Sequence, residues 1–549
     1  MSDDIKKKVR ERIAAEKAAV GSEPAKARTE LTDWEIIRCA RENVAGDAAV
    51  YIALNRGKFL YVERWGVWLK WMEHYWQKDL GQREATATVS AVVDEYCRVY
   101  GELSNLARDR KSSLEPGSAE SDKVPRKKRK KESDGPYDDE FQALSSKIST
   151  LRGVTGRKNV IEYVRTCPDT RLIIDGEELD AQPWLLACTN GVIELKDGAH
   201  RPGRPDDYLT CAVPTEWTGL DEPCPIFEKF MMDIMGGNAE LVAYLQRMLG
   251  QSLIGKQREH VFLVLSGAKG RNGKDTLMNI LRHVLGLNVM VPVPAEMLLD
   301  QGFAKSSSGP APDLMTLRGR RLAYASETDE GRRFSSSKVK WLSGGGQMVA
   351  RGTYDLEMSY WDPTHTLILL TNDLPHAKAD DQAFWSRLHL VKFVYSFLTN
   401  PNLDNEFEKL ADPDLLEKMK AEASGILAWL VRGELEYQRL GLCPPKEVTE
   451  ASVEYRASED MVGRFISECC EIKEGERLQA TVLFDAFRFW YAREISKKHT
   501  FARNKFGIIL AEKGFEKQKD GPRWYWQGLT LAEEFNQEMC RAEESRGKK

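Results

Sequence analysis

The run Gly267-Ala268-Lys269-Gly270-Arg271-Asn272-Gly273-Lys274-Asp275-Thr276 holds the residue types that a bound triphosphate requires. Small residues let a backbone wrap phosphates with its N–H groups, a lysine supplies a cation, and a hydroxyl or carboxylate reaches a metal. The common spacing of such a loop is G-x-x-x-x-G-K-[ST]. Aligned on Gly273-Lys274, the first glycine slot holds Ala268 and the Ser/Thr slot holds Asp275; Gly267 and Thr276 each lie one place outside the pattern. On this reading the ligand is ATP. Lys274 contacts its β- and γ-phosphates, and Asp275 or Thr276 reaches Mg²⁺ directly or through water.

Hydrolysis asks for three more groups: a carboxylate that orients water, a polar sensor of the γ-phosphate and a cation for the transition state. Glu327 is the candidate carboxylate and a third candidate Mg²⁺ ligand; Ser326 stands before it where an aspartate is usual. Asn372 is the candidate sensor. Arg387 is the candidate arginine finger, acting on a neighbouring subunit's nucleotide.

Such groups need rigid elements behind them. Val261 to Leu265 reads as a buried strand running into the glycine-rich turn, and Leu277, Ile280, Leu281 and Val284 follow at helical spacing. Arg321 to Ser326 is a second apolar strand ending at Glu327. Thr366 to Thr371 is a third, ending at Asn372. Leu388 to Phe393 alternates directly after Arg387. Three strands ending in the required groups, in this order, predict an α/β nucleotide-binding core.

The rest of the chain brackets that core. Its 549 residues predict three or four domains. Charged residues make up 30% but net charge is only −4, so nucleic-acid binding must come from local patches. The 10 cysteines include no C-x-x-C, which argues against a zinc ribbon and for a reducing compartment. There is no apolar run of membrane-spanning length and no signal-like apolar stretch near the start, so a cytoplasmic protein without a membrane partner is expected. Composition divides the chain into a charged tail (1–30), a domain (31–111), a basic linker (112–139), a continuation of that domain (140–215), a helical segment (216–257), the nucleotide-binding domain (258–398), a helical segment (399–455), a domain of helices ending in a hairpin (456–535) and a charged tail (536–549). The aromatic group Tyr61, Trp65, Trp68, Trp71, Tyr75 and Trp76 reads as core of the first domain, or as a base-stacking surface. The run Pro125 to Lys131 is a solvated linker, a DNA contact or a nuclear localisation signal. Helices followed by a hairpin at Asp520-Gly521 resemble a winged helix, whose basic third helix enters a DNA groove or which serves as a protein-interaction module.

Taken together, Gly270-Arg271-Asn272-Gly273-Lys274, Glu327, the stretch Lys340 to Arg351, Thr371-Asn372-Asp373-Leu374-Pro375 and Trp385-Ser386-Arg387 resemble superfamily 3 helicases. The closer resemblance is to the helicase part of phage and plasmid primase–helicases of the satellite-phage alpha-protein type, related to the poxvirus primase–helicase. Trp65 to Leu69 and Asn190-Gly191-Val192 look like the domain that precedes the helicase in that family. The resemblance implies an AAA+-like P-loop core with helical N-terminal domains, a collar-like segment over 216–257 and a C-terminal winged-helix-like domain. It implies a homo-hexameric ring on single-stranded and forked DNA, moving 3′ to 5′ in a bacterial host. It also makes Lys340 and Arg351 candidate DNA-phosphate contacts. Asp275 and Gly346 depart from the family pattern. No D-x-D pair sits on an apolar strand in the first part of the chain, which predicts no primer synthesis here and a separate primase or replication initiator as partner. An initiator or loading factor that binds DNA without unwinding it is the competing function.

Overall fold

The computed structural model describes residues 30–114, 137–167, 172–267, 270–302, 309–326, 331–353, 357–402, 404–494 and 502–547. Glu327, Ala268, Lys269 and the basic run 125–131 lie outside them. The chain divides into two compact units, 1–181 with 202–210, and 182–201 with 211–549. Residues 182–201 and 211–215 therefore pack with the second unit, where composition alone had grouped them with the N-terminal domain.

The first unit is not purely helical. Its helices (Asp33–Arg41, Val44–Asn55, Val89–Leu114, Asp138–Arg152 and Val154–Thr166) share a core with a four-stranded sheet. The strands run in the order Trp76–Lys78, Val67–Trp71, Phe59–Val62 and Ile173–Ile174. The aromatics that read as core are the reason for the sheet. Trp68 and Trp76 are fully buried, in separate cores: Trp68 packs with Phe59 and Tyr61, and Trp76 with Leu60, Val62 and Leu69. At the helical side Asp47 is buried and accepts from Lys147 at 2.7 Å and from the Tyr96 hydroxyl at 2.8 Å, so its charge is paired.

The second unit is built on a five-stranded parallel sheet. Its strands in chain order are β1 (Phe262–Ser266), β2 (Met290–Pro292), β3 (Leu322–Ser326), β4 (Thr366–Thr371) and β5 (Leu388–Lys392), and the spatial order is β5-β1-β4-β3-β2. Both faces are covered, as parallel sheets require. In β1 the residues alternate between two cores: Leu263 and Leu265 pack with Ile280 and Leu281, and Phe262 and Val264 pack with Leu367 and Phe384. That double burial explains why these strands read as continuous apolar runs rather than alternating ones.

Arg321 ties the base of the sheet to what precedes it. Its guanidinium is buried, donating to the carbonyl of Leu185 at 2.6 Å and to that of Leu253. Two helices, Ala239–Gln251 and Ala423–Leu440, cross backbone to backbone: a Cβ on Gly250 would stand 2.3 Å from Glu434 N, and one on Gly433 2.2 Å from Gln246 O. Downstream, the helices Met461–Cys469, Ala480–Glu494 and Arg503–Glu512 pack on a three-stranded antiparallel sheet of Cys470–Gln479, Lys517–Asp520 and Arg523–Leu531. The helices and hairpin were legible in the sequence. The strand Cys470–Gln479 was not, and residues 536–547, read as part of a charged tail, continue the helix Glu533–Gly547.

Candidate functional site

The glycine-rich loop leaves the carboxyl end of β1, whose neighbours are β4 and β5. In parallel α/β sheets this is the edge where ligands bind. Gly270, Arg271 and Gly273 have φ of +68°, +50° and +85°. Left-handed residues of this kind curl successive N–H groups toward one side and make an anion-sized concavity. Gly273 then starts the helix Lys274–Val289 with no side-chain cap on its N-terminus. The first-turn N–H groups are thus left without a capping side chain, and the helix dipole adds positive potential there. A Cβ on Gly273 would lie 2.7 Å from Ile234 Cγ2, so no larger residue fits between loop and helix.

Lys274 is only 6% exposed. Its Nζ donates to Asn372 Oδ1 at 3.0 Å, Asn272 Oδ1 at 3.3 Å and Gly267 O at 3.4 Å. All three are neutral oxygens. Burial holds the ammonium below the usual lysine value, opposed by the charge of Asp275. Among the described residues this desolvated cation has no carboxylate hydrogen-bond partner, which is costly, and an arriving anion relieves the cost. Gly267 is needed for the close approach: a Cβ there would be 2.5 Å from Asn272 Oδ1 and 2.8 Å from Lys274 Nζ.

The structure brings Asn372, just after β4, to Lys274. Asp275 is exposed and Thr276 half-buried on the first turn of the helix. Ser326 ends β3, so Glu327 is attached to the right strand edge but itself lies outside the described residues. Among the described residues no group of three or more His, Cys, Asp or Glu is placed to hold a metal ion. Mg²⁺ at this loop would take oxygens from the triphosphate together with Thr276 or Asp275.

Arg387 is elsewhere. It precedes β5, and its carbonyl accepts from Phe262 N at 2.8 Å, at the amino end of β1. Its Nη1 donates to Ala383 O, and its buried Nε has no partner. It sits at the opposite sheet edge from the chain's own loop. Lys340, on the helix Ser336–Leu342, pairs with Asp381 at 3.0 Å, and Asp381 caps the short helix leading to Arg387. Arg351 follows the first strand of a hairpin, Met348–Ala350 paired with Ser359–Trp361, on which Tyr360 is exposed.

Motif reading missed a clamp on the loop's outer side. Asn272 Nδ2 donates to Tyr395 O at 2.8 Å, Phe397 N donates to Arg271 O at 2.9 Å, and Ser396 Oγ donates to Gly270 O at 3.3 Å. Residues 395–397 follow β5 directly. No pattern in the sequence marks them, because they act largely through backbone groups.

Residues 48–236 match the family described as D5 N terminal like. The chain is 29% identical over 335 residues to the protein named Putative helicase L207/L206 of Acanthamoeba polyphaga mimivirus, covering 58% of this chain and 34% of that one. It is 23% identical over 463 residues to Putative helicase 022R of Frog virus 3, covering 69% of this chain and 46% of that one. These similarities support a primase–helicase-like family. The chain spans about a third to a half of the length of these curated relatives. Among solved structures it is similar to the apo NrS-1 C terminal region (305–718), with 12% identity, a TM-score of 0.35, and coverage of 58% of this chain and 79% of that one. Among the described residues no helix is long and apolar enough to cross a membrane.

Proposed function

We propose that the second unit is an AAA+-like P-loop ATPase of the superfamily 3 helicase type, carrying a C-terminal winged-helix-like domain and unwinding DNA during replication of a virus, phage or plasmid. The observation that carries this reading is the buried Lys274 ammonium, bonded among the described residues to neutral oxygens alone, inside an uncapped, glycine-lined helix start. Such a site is built for a polyanion, and a triphosphate supplies one. In this reading Lys274 and the first-turn N–H groups hold the β- and γ-phosphates. Bound Mg²⁺ would supply charge neutralisation to the phosphates. Asn372 exchanges its bond to Lys274 for one to the γ-phosphate or its attacking water, and Glu327 orients that water.

The position of Arg387 supports action between subunits. At the far edge of the sheet, it serves a nucleotide on the next subunit of a ring, and a homo-hexamer enclosing single-stranded DNA is the arrangement expected. The names of the relatives fit a helicase or primase role. Unwinding of a forked DNA duplex tests the reading, with wild type compared against Lys274→Ala and Arg387→Ala and oligomer size recorded for each. ATP-dependent strand separation by wild type alone, from a ring, is expected. ATP-dependent DNA binding without strand separation would instead identify an initiator or loading factor. Absence of both ring and unwinding would sink the proposal.

A further inference from the structure

We infer that the tip of the hairpin Lys517–Leu531, centred on Trp524, is a single-stranded-DNA contact, in which a base stacks on the indole while Lys517 and Lys519 hold the adjacent phosphates. The inference rests on the helicase reading and adds a second nucleic-acid surface to it.

The register sets out the face. Lys519 pairs with Trp524 and Lys517 with Trp526, so all four side chains lie on one side of the ribbon. Trp526 is buried against the helices. Trp524, two residues nearer the turn, extends past them and is 46% exposed. Lys517 Nζ stands 5.3 Å from the Trp524 ring centroid and 5.6 Å from that of Trp526. The ammonium therefore braces the indole from one side and leaves it open on the other. On the opposite side of the ribbon Arg477 pairs with Asp520 at 2.8 Å and lies over Tyr525, which neutralises the acid nearest the turn. Among the described residues Lys517, Lys519 and Arg523 are in no ion pair. An exposed indole flanked by unpaired cations is chemistry that suits a base and its phosphates better than an apolar protein surface.

The helix expected to enter a groove also keeps basic side chains, Arg503 and Lys505, exposed. Lys505, in the first turn of Arg503–Glu512, is held below the usual lysine value by partial desolvation and then by the like charges of Arg333 and Lys378, with Asp380 opposing them. Its basic end is thus turned toward the segments that follow β3 and β4. The hairpin adds an exposed aromatic ring, Trp524, to its cations.

Fluorescence anisotropy on the full chain tests this, using labelled oligothymidylate and a duplex of equal length, with and without ATP. Trp524→Ala should weaken single-strand binding about 5- to 150-fold, the range that one lost base–aromatic stack produces. Trp524→Phe keeps a ring and should recover most of the loss. Lys517→Ala with Lys519→Ala should lower the salt dependence of single-strand binding by about 1.4 in the log–log slope, about 0.7 per phosphate contact. Duplex affinity should change little. Unchanged single-strand affinity in all these variants, with wild type binding, overturns the inference and leaves the helicase reading standing. A change in oligomer size in place of DNA affinity makes the tip a subunit contact and also overturns it. If wild type binds no DNA at all, both fall. Thermal melts of each variant separate loss of binding from loss of folding.

Discussion

Arg387 can be tested by mixing two inactive proteins. Leu388 pairs with Phe262 and Lys392 with Ser266. Arg387 precedes the first pair and Gly267 follows the last, so about six strand steps of ~3.3 Å, roughly 20 Å, separate them. An arginine side chain does not span that gap, and Arg387 is further committed by its bond to Ala383 O. In trans, loss of a finger costs about 10³- to 10⁵-fold in turnover, and loss of Lys274 is expected to be as severe. Arg387→Ala and Lys274→Ala should therefore each be inactive alone. When they are co-expressed in equal amounts, a given interface has a one-in-two chance of an intact Lys274 and a one-in-two chance of an intact Arg387. The mixed ring should then recover about a quarter of wild-type DNA-stimulated ATPase activity if interfaces act independently. Phosphate release from purified mixtures, over a series of mixing ratios, gives the curve. A mixture no more active than its components would refute the trans assignment, as would an Arg387→Ala protein that retains full activity alone.

Four further outcomes follow from particular contacts and buried groups. Gly267→Ala places a methyl against Asn272 and Lys274, and should weaken ATP binding at least ~10-fold in a titration with labelled nucleotide, with the fold's melting temperature little changed. Arg321→Ala leaves the buried carbonyls of Leu185 and Leu253 without this donor; it should cost about 2–5 kcal/mol in denaturant unfolding of the second unit. Glu434 is fully buried and its carboxyl is pushed up to about 8, by burial above all, with Arg258 opposing. Between the ordinary carboxylate range and pH 8 the unfolded chain loses this proton while the folded chain keeps it, so stability falls as pH rises through that window, by on the order of a few kcal/mol. Glu434→Gln should flatten that fall in melts from pH 5 to 9. His365 gives the opposite slope on the acid side: burial lowers it to about 4, so stability falls as pH drops below about 6.5. An unchanged alkaline slope in Glu434→Gln would show that other groups set it.

What the sequence made legible was local. The loop, the strand before it and the helix after it are contiguous, and each carries its own signal: an apolar run, glycines, then a 3.6-residue period. Two further strands, Leu322–Ser326 and Thr366–Thr371, were equally plain because central strands of a parallel sheet buried on both faces leave apolar runs, and the edge strand Leu388–Lys392 showed itself by alternation. The missed parts act across distance. Arg321 secures residues 185 and 253 from a position that reads only as the start of a strand. Residues 395–397 hold the loop largely through backbone groups, which no residue type announces. Cys470–Gln479 lacks a pattern because its pairing partner, Arg523–Leu531, is far along the chain and most of its own side chains face solvent.

The same contrast bears on Asp275. By spacing it is the residue that replaces the usual metal-binding hydroxyl, yet it is exposed and its nearest electrostatic effect is to oppose the lowering of the Lys274 value. At a helix start an aspartate is favoured by the dipole, and it competes there with any incoming anion. Thr276, half-buried one residue on, carries the hydroxyl that the loop otherwise lacks. If Asp275 tunes Lys274 and Thr276 meets Mg²⁺, Asp275→Asn should tighten ATP binding without Mg²⁺, because one negative charge leaves the loop, while Thr276→Ala should selectively raise the Mg²⁺ concentration needed for hydrolysis. If Asp275 is itself the metal ligand, Asp275→Asn raises that requirement instead. Magnesium titrations of the two variants decide between these roles by the sign of a single shift.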